Sequence, residues 1–429
     1  MREIVRCASA IVGGTELTDF AFAVEDGTIG PTGNFSAVRA ALPAYKVRAF
    51  DDDVVIVPGF INGHSHAYQI LLRGWADDWT FAKWRSDALY RVIPQLRADD
   101  IYWTFVAAFT EMLAAGITSV VEFFYLNGDG NANAEAVIRA ARDTGIRLVL
   151  ARAWMDADYA PPAFRETIGQ AQERTQALIA KYPAQNICIA PHSVHAASPE
   201  MIAAAMQCAQ ERDLLLHIHV AEAQYEVEET MKMHGATPVD FLDRLGVLND
   251  RLIAVHAIYL SQEEKRLLAQ RGARVVHNPM TNQYLGDGTC DLAGLLDLGV
   301  PVALGTDADV KPSLFDEMRA AALLQKLAAR DGSILDARTS FNLATAGGAR
   351  ALGLKAGELA SGCAADYLAV DASRIDPWSP ALNALVYRAQ DAWIRETYVN
   401  GELVSSGERS ALAFEADEKL TQISHTLQF

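Results

Sequence analysis

Cysteine is scarce in this chain. The five present, Cys7, Cys188, Cys208, Cys290 and Cys363, are scattered through 429 residues with no Cys-x-x-Cys pair. That argues against a disulfide framework and against a thiolate zinc site, and a reducing cytoplasm is the simple expectation. Positive charge is short as well. Lys and Arg total 37 against 54 for Asp and Glu, a formal charge of −17. No basic surface is available to displace counterions from a phosphodiester backbone, so a nucleic-acid partner is not expected. A local basic pocket for a small anion remains compatible with that balance. No window approaches the roughly 18 uninterrupted apolar residues of a membrane span. The start, Met1-Arg2-Glu3-Ile4, alternates polar with apolar residues and does not read as a signal peptide. Low-complexity stretches and solenoid repeats are absent too. The chain is rich in apolar residues, 51% of the total. That is more core than one compact domain usually holds, so one large domain with a smaller satellite is expected.

The first 57 residues read as short strands. Ile4 to Val12 is β-rich, and Phe20–Val24 runs into Asp26-Gly27, a hairpin signal. Residues 54–58, Val-Val-Ile-Val-Pro, look like a buried strand that turns at Gly59. From there helical stretches alternate with short apolar runs: Ser119–Phe124, Arg147–Ala151, Asn186–Ala190, Leu214–Val220, Leu252–His256, Arg274–His277 and Val300–Gly305. Glu200–Arg212, with apolar residues at helical spacing, leads into one of them. Such repeats imply a parallel barrel or a doubly wound sheet. The pattern returns to β at Asp366–Val370 and Trp393–Val404, the latter with Asn400-Gly401, a strong hairpin signal. The expected organisation is a small β domain from both chain ends, residues 1–57 and 360–429, around a barrel of residues 58–359.

Polar residues with chemical potential close the apolar runs. His64 and His66 follow Pro58-Gly59-Phe60, His219 closes one run, His256 closes another, and Asp307 follows Val302–Thr306. Strand ends of a barrel converge on one face, so residues distant in sequence can meet there. His64 and His66, two apart on an extended segment, project to one side. With His219 as third nitrogen ligand and Asp307 as oxygen ligand, they would hold a divalent metal. A metal with an open position lowers the pKa of water to roughly 7. Glu222, three residues after His219, can shuttle a proton, and His256 can polarise or donate to a tetrahedral intermediate. Alone, each has a plainer explanation: a hydrogen-bonded strand-end histidine, a capping aspartate, a solvated carboxylate. Their common placement at strand ends, in order, favours the metal site.

These motifs resemble the amidohydrolase superfamily. Pro58-Gly59-Phe60-Ile61-Asn62-Gly63-His64-Ser65-His66 is similar to its first metal motif, and His217-Ile218-His219-Val220-Ala221-Glu222 to the His-x-x-Glu motif of its deaminase branch. Val255-His256-Ala257, His277-Asn278-Pro279 with Asn282, and Gly305-Thr306-Asp307 complete the series. The resemblance spans essentially the whole chain. It implies an α/β fold, a distorted (β/α)8 TIM barrel with a flanking β-sandwich. It implies release of ammonia from a C–N or C=N centre, a small-molecule substrate and a homodimer. It also implies a divalent metal ion, Zn2+ with Fe2+ as the alternative. Two-metal members carry a lysine at the end of the fourth strand. Ile187–His192 has none, which favours a single ion.

Within that branch, several segments look like formimidoylglutamate deiminase, an iminohydrolase. They are His64-Ser65-His66-Ala67-Tyr68-Gln69, Trp84-Arg85 with Leu89-Tyr90, Thr110–Tyr125 and Leu285-Gly286-Asp287-Gly288. This resemblance implies that Gln69, Arg85 and Tyr125 bind substrate, with His192 and His195 beside them. One departure stands out. In His192-Ser193-Val194-His195-Ala196, His195 occupies the place of a carboxylate-binding arginine, and it lacks that residue's five-donor fork. The expected substrate is therefore a formimino or amidino compound. The alternative is a cyclic amidine, such as a purine, pterin or adenosine derivative. It rests on Leu72-Arg73-Gly74-Trp75-Ala76-Asp77-Asp78 and Glu226-Val227-Glu228-Glu229, which resemble adenosylhomocysteine-type deaminases. Those usually carry Pro-Tyr where this chain has Val194-His195. A non-catalytic relative would be expected to have lost some of these ligands, and none is missing.

Overall fold

The computed structural model describes residues 2–75, 77–128 and 130–427. Ala76, within the Leu72–Asp78 motif, lies outside the described residues. Five strands come first: β1 (Arg2–Val12), β2 (Thr15–Glu25), β3 (Thr28–Asn34), β4 (Lys46–Ala49) and β5 (Val54–Pro58). Eight follow as the barrel: β6 (Phe60–Ser65), β7 (Ile117–Phe124), β8 (Arg147–Trp154), β9 (Asn186–Pro191), β10 (Leu216–Val220), β11 (Leu252–His256), β12 (Arg274–His277) and β13 (Val302–Leu304). Three close the satellite: β14 (Tyr367–Asp371), β15 (Ile394–Val399) and β16 (Glu402–Ser406).

The barrel strands lie side by side in chain order, β6 to β13, and each neighbouring pair is parallel. Strands covered on both faces read as nearly unbroken apolar runs, and all eight residues of β7 are buried. This is why the strands were legible before their helices. Closure runs through the site itself. The amides of Thr306 and Asp307 donate to the His64 carbonyl, and the His66 amide donates to that of Asp307. Two glycines permit the approach. A Cβ on Gly63 would sit 2.9 Å from the Leu304 carbonyl oxygen, and one on Gly305 would sit 2.8 Å from the His64 nitrogen. The outer helices carry clear start signals. Ser198 caps Pro199–Glu211, and Ser261 with Glu264 forms a capping box on Gln262–Arg271. Among the described residues no helix is long and apolar enough to cross a membrane.

The satellite strands form one mixed sheet, in the order β16-β15-β14-β5-β1-β2-β3 with β4 paired to β1. Both hairpin signals close two-residue turns. Asp26 and Gly27 have φ of 47° and 85°, and Asn400 and Gly401 have φ of 52° and 77°, the left-handed pair that such turns need. Val5, Phe20, Phe22, Ile56, Tyr367 and Tyr398 form a separate apolar cluster there. Among the described residues three α-helices, Phe35–Ala41, Ala381–Tyr387 and Ala411–Thr426, fall in the ranges expected to be a β domain. Phe35–Ala41 lies between β3 and β4. Ala411–Thr426 packs on the barrel helix Ala98–Ala114 and adds Ala416 and Ile423 to the main core.

One buried carboxylate ties satellite to barrel. Asp366 is fully buried and pairs with Arg147 at 2.9 and 3.1 Å, while accepting the Asn400 amide at 2.8 Å. Asp366→Ala removes the carboxylate from the guanidinium, which keeps Asn400 Oδ1 at 2.6 Å, and removes the acceptor of that amide. Unfolding by urea is expected to show a loss of about 3–5 kcal/mol, the usual cost of breaking a buried pair from one side.

Candidate metal centre and active site

The C-terminal ends of β6, β10, β11 and β13 converge as the sequence placement requires. Ligand atoms of His64, His66, His219 and Asp307 all lie within 4.8 Å of one another, and a second group joins Glu222, His256 and Asp307. All six side chains are buried. His64 Nε2 is 3.3 Å and His66 Nε2 3.6 Å from Asp307 Oδ1, and His66 Nε2 is 3.3 Å from His219 Nε2. The backbone is strained here. His256, Ala257, Ala221, Asp307 and Asp309 all have φ between 49° and 73°. Non-glycine residues rarely adopt this region, and such residues cluster at functional sites.

The donor set fits a cation. His66 Nδ1 donates to the Phe123 carbonyl at 2.8 Å, and His219 Nδ1 to the His192 carbonyl at 2.7 Å. Each bond fixes the tautomer that turns an Nε2 lone pair inward, the arrangement found around metal-binding imidazoles. Neither ring nitrogen of His64 has a hydrogen-bond partner. Burial and the neighbouring imidazoles hold His64 well below the ordinary histidine range. His66 shifts the same way for the same reasons, and burial brings His219 down to about 4. Burial pushes the Asp307 carboxyl well above its ordinary value, with Asp287 and Asp309 adding to the effect. Neutral imidazoles packed against a carboxyl that resists ionisation form an unfavourable cluster on their own. A divalent cation would favour the Asp307 carboxylate and would bind the imidazoles in the neutral form that burial already favours.

Around that cluster stand groups that can move protons. Glu222 Oε1 is 3.6 Å from His256 Nε2, and His256 Nε2 is 3.8 Å from Asp307 Oδ2. Burial raises the Glu222 carboxyl well above the carboxylate range, and Glu226 raises it further. Glu226, four residues on in the first turn of the helix Gln224–His234, accepts the Glu222 amide at 2.9 Å, and burial brings it to about 7. His195 Nδ1 is 3.3 Å from Glu226 Oε1. Burial and Arg85 hold His195 down at about 3.

The expected substrate residues gather in one chamber. Gln69, Arg85, Tyr125, His192 and His195 line it with His66, His219, Glu222 and Asp307. Gln69 donates to the Tyr125 hydroxyl at 3.3 Å. Phe81, Arg85, His195 and Leu285 also border an outer vestibule of ≈ 760 Å³, which Tyr159, Tyr225 and Asp287 line as well. Arg85 sits at the junction. Its guanidinium carbon is within 6 Å of the Phe81, Tyr90 and Tyr159 rings, and Nη1 lies 3.5 Å from the Tyr225 hydroxyl. It belongs to a π-helical turn, Trp84–Leu89, a distortion frequent at functional sites.

Several members of the network had no assigned role in the sequence reading. Asp309 accepts from Ser65 at 2.6 Å and from Thr306, while Asn62 donates to Thr306 at 2.7 Å. Glu122 accepts the Ala67 amide at 3.0 Å. Proximity to a ligand was the available signal for Asp309, and the four-residue spacing from Glu222 for Glu226.

The amidohydrolase family model matches residues 55–404. A 5-methylthioadenosine/S-adenosylhomocysteine deaminase of Pyrococcus furiosus is 34% identical over 388 residues, 89% of each chain. A 5'-deoxyadenosine deaminase of Methanothermobacter thermautotrophicus is 33% identical over 375 residues, 83% of this chain and 84% of that one. An adenosine deaminase from Xanthomonas campestris, solved with bound zinc, superposes with a TM-score of 0.87 at 28% identity, covering 99% of this chain and 98% of that one. An atrazine chlorohydrolase from Arthrobacter aurescens, complexed with zinc and atraton, gives 0.90 at 25% identity, covering 98% and 99%. The chain belongs to the amidohydrolase family and is a hydrolase of carbon–nitrogen bonds other than peptide bonds. These relatives reorder the resemblance drawn from sequence motifs. Adenosine-type deaminases now stand ahead of formimidoylglutamate deiminase.

Proposed function

We propose that this amidohydrolase is a metal-dependent hydrolytic deaminase that replaces the amino group of a cyclic amidine, in the adenosine class, with oxygen. The observation that carries the reading is a division of labour among buried groups. Four donors converge for a cation, and a separate carboxyl, Glu222, stands 3.6 Å from the imidazole of His256. The curated relatives supply the substrate class, since those compared are nucleoside deaminases. The motif resemblance of Gln69, Arg85 and Tyr125 to an acyclic iminohydrolase is the weaker guide.

His64, His66, His219 and Asp307 would hold one divalent ion, zinc being the ion in the related structures. Such an ion, when bound, supplies Lewis acidity that makes water a competent nucleophile near neutral pH. The chain's own groups then divide the remaining work. Glu222 takes the proton that water loses and delivers it to the substrate nitrogen, so the amino group departs as ammonia. Its raised affinity for protons suits both halves of that transfer. His256 donates from Nε2 toward the oxygen on which negative charge develops. Phe81, Trp84 and Tyr125 wall the inner chamber. The vestibule beyond has room for whatever the heterocycle carries.

Arg85 is the cation at the junction of the two spaces, and its fork suits a carboxylate on a substrate tail. A charge-assisted bond is worth roughly 1.5–3 kcal/mol, so Arg85→Met should lower kcat/KM for S-adenosylhomocysteine by about 10- to 150-fold. The same variant should change kcat/KM for 5'-deoxyadenosine, which lacks a carboxylate, by less than about 3-fold. Equal losses on both substrates would remove Arg85 from tail recognition. Ammonia release from the zinc-loaded protein is the measurement for both.

A further inference from the structure

His256 is an imidazole whose function depends on which nitrogen carries its proton, and two amides face the nitrogen turned away from the reaction. Asn282 Nδ2 lies 3.1 Å and Asn278 Nδ2 3.4 Å from His256 Nδ1. An amide nitrogen has protons to give and no lone pair to offer. If Asn282 were turned over, its oxygen would face His256 instead, and the tautomer would be undetermined. Asp287 prevents that turn. Asn282 Nδ2 donates to Asp287 Oδ2 at 3.2 Å, so the other orientation would set amide oxygen against carboxylate oxygen. Asp287 is itself held by a short local fold: its amide donates to the Asn282 carbonyl at 3.0 Å, and its carbonyl accepts the Tyr259 hydroxyl. All three side chains, His256, Asn282 and Asp287, are buried.

We propose that Asn282, oriented by Asp287, is a positioning residue that fixes the tautomer of His256, leaving Nδ1 as acceptor and directing the Nε2 proton at the reacting oxygen. This rests on the role given to His256 in the function proposed above. The chain of contacts is directional. As a carboxylate, Asp287 accepts from the amide, the amide nitrogen donates to both neighbours, and the imidazole then carries its proton on Nε2. That nitrogen faces Glu222 and Asp307, at 3.6 and 3.8 Å. Asp287 also lines the vestibule, so one loop serves both the substrate space and the orientation of the imidazole.

The proposal predicts the effect of reversing polarity without changing shape. In the double variant Asn282→Asp with Asp287→Asn, the hydrogen bond between the two positions survives with donor and acceptor exchanged. The carboxylate introduced at position 282 cannot be a donor, so the imidazole should move its proton to Nδ1 and bond to that carboxylate. A charge-assisted bond of this kind outweighs the longer neutral contact from Asn278. Nitrogen-15 spectra of histidine-labelled, zinc-loaded protein, with the His256→Asn variant for assignment, report which ring nitrogen is protonated. The expected result is Nε2 protonated in the parent and Nδ1 protonated in the swapped variant. Alongside it, kcat for 5'-deoxyadenosine should fall by about 10²-fold or more with KM within about 3-fold. Asp287→Ala, which frees the amide, should give a mixture of tautomers and a loss of about 10-fold in kcat. Retention of the Nε2 proton in the swapped variant, or a single Nε2-protonated form in Asp287→Ala, overturns the positioning role. A proton moved to Nδ1 with parental kcat sustains the positioning and instead overturns the role given to His256 in the reaction.

Discussion

Glu222→Gln is expected to keep the metal and lose most turnover, with kcat lower by about 10²–10⁴-fold. The glutamine side chain has the same shape, so the buried space beside His256 is filled as before. It cannot accept and release a proton. Burial and Glu226 place the Glu222 carboxyl where it binds a proton readily, which an acid delivering a proton to a leaving nitrogen requires. Because Glu222 lies outside the four-donor group, zinc content by elemental analysis should stay at that of the parent. Near-parental kcat with zinc intact would make Glu222 a structural carboxyl. Loss of zinc together with kcat would instead make it part of the metal centre.

The second large effect concerns that centre. His219→Ala is expected to abolish activity and lower zinc affinity by more than about 10²-fold, since even outer-shell partners of a metal typically cost 10- to 100-fold. His219 occupies the middle of the cluster. Its Nε2 is 3.3 Å from that of His66, its Nδ1 is committed to the His192 carbonyl, and its ring stacks on those of His66, His192 and His256. Metal should also stabilise the fold by mass action. Free zinc at about 1,000 times its Kd would add about 4 kcal/mol to the unfolding free energy of the parent. The variant should gain little of that at the same zinc concentration. Equal stabilisation of parent and variant by zinc, read from denaturant midpoints, would place the ion elsewhere.

The barrel was legible in the sequence because its strands are buried on both faces. A run such as Leu252–His256 is apolar up to the residue that closes it, and the residues ending the runs are those that reach the site. His64, His66, His219, His256 and Asp307 could therefore be placed together from strand ends alone. The local turns were equally plain, since Asp26-Gly27 and Asn400-Gly401 carry their left-handed geometry in their residue types. What the sequence did not disclose depends on contacts between distant segments. Ser65 and Asp309 are 244 positions apart and hydrogen-bonded. Arg85 is an ordinary helical arginine until Phe81, Tyr90 and Tyr159 surround it. The helix Ala411–Thr426 owes its place to packing on Ala98–Ala114, which nothing in its own residues specifies. Substrate choice was the least legible, because Gln69, Arg85 and Tyr125 suit more than one small polar molecule. There the motif resemblance pointed to an acyclic compound, whereas relatives that match along most of the chain pointed to nucleosides.

The central claim, a deaminase of the adenosine class, is tested most directly by ammonia release from the zinc-loaded protein. The substrates to compare are 5'-deoxyadenosine, 5-methylthioadenosine, S-adenosylhomocysteine and formimidoylglutamate, each with the Glu222→Gln variant as control. The account predicts ammonia from at least one of the nucleosides, with a kcat/KM well above that for formimidoylglutamate, and its loss in the variant. Ammonia from formimidoylglutamate alone, or nucleoside deamination that persists in Glu222→Gln, would contradict it.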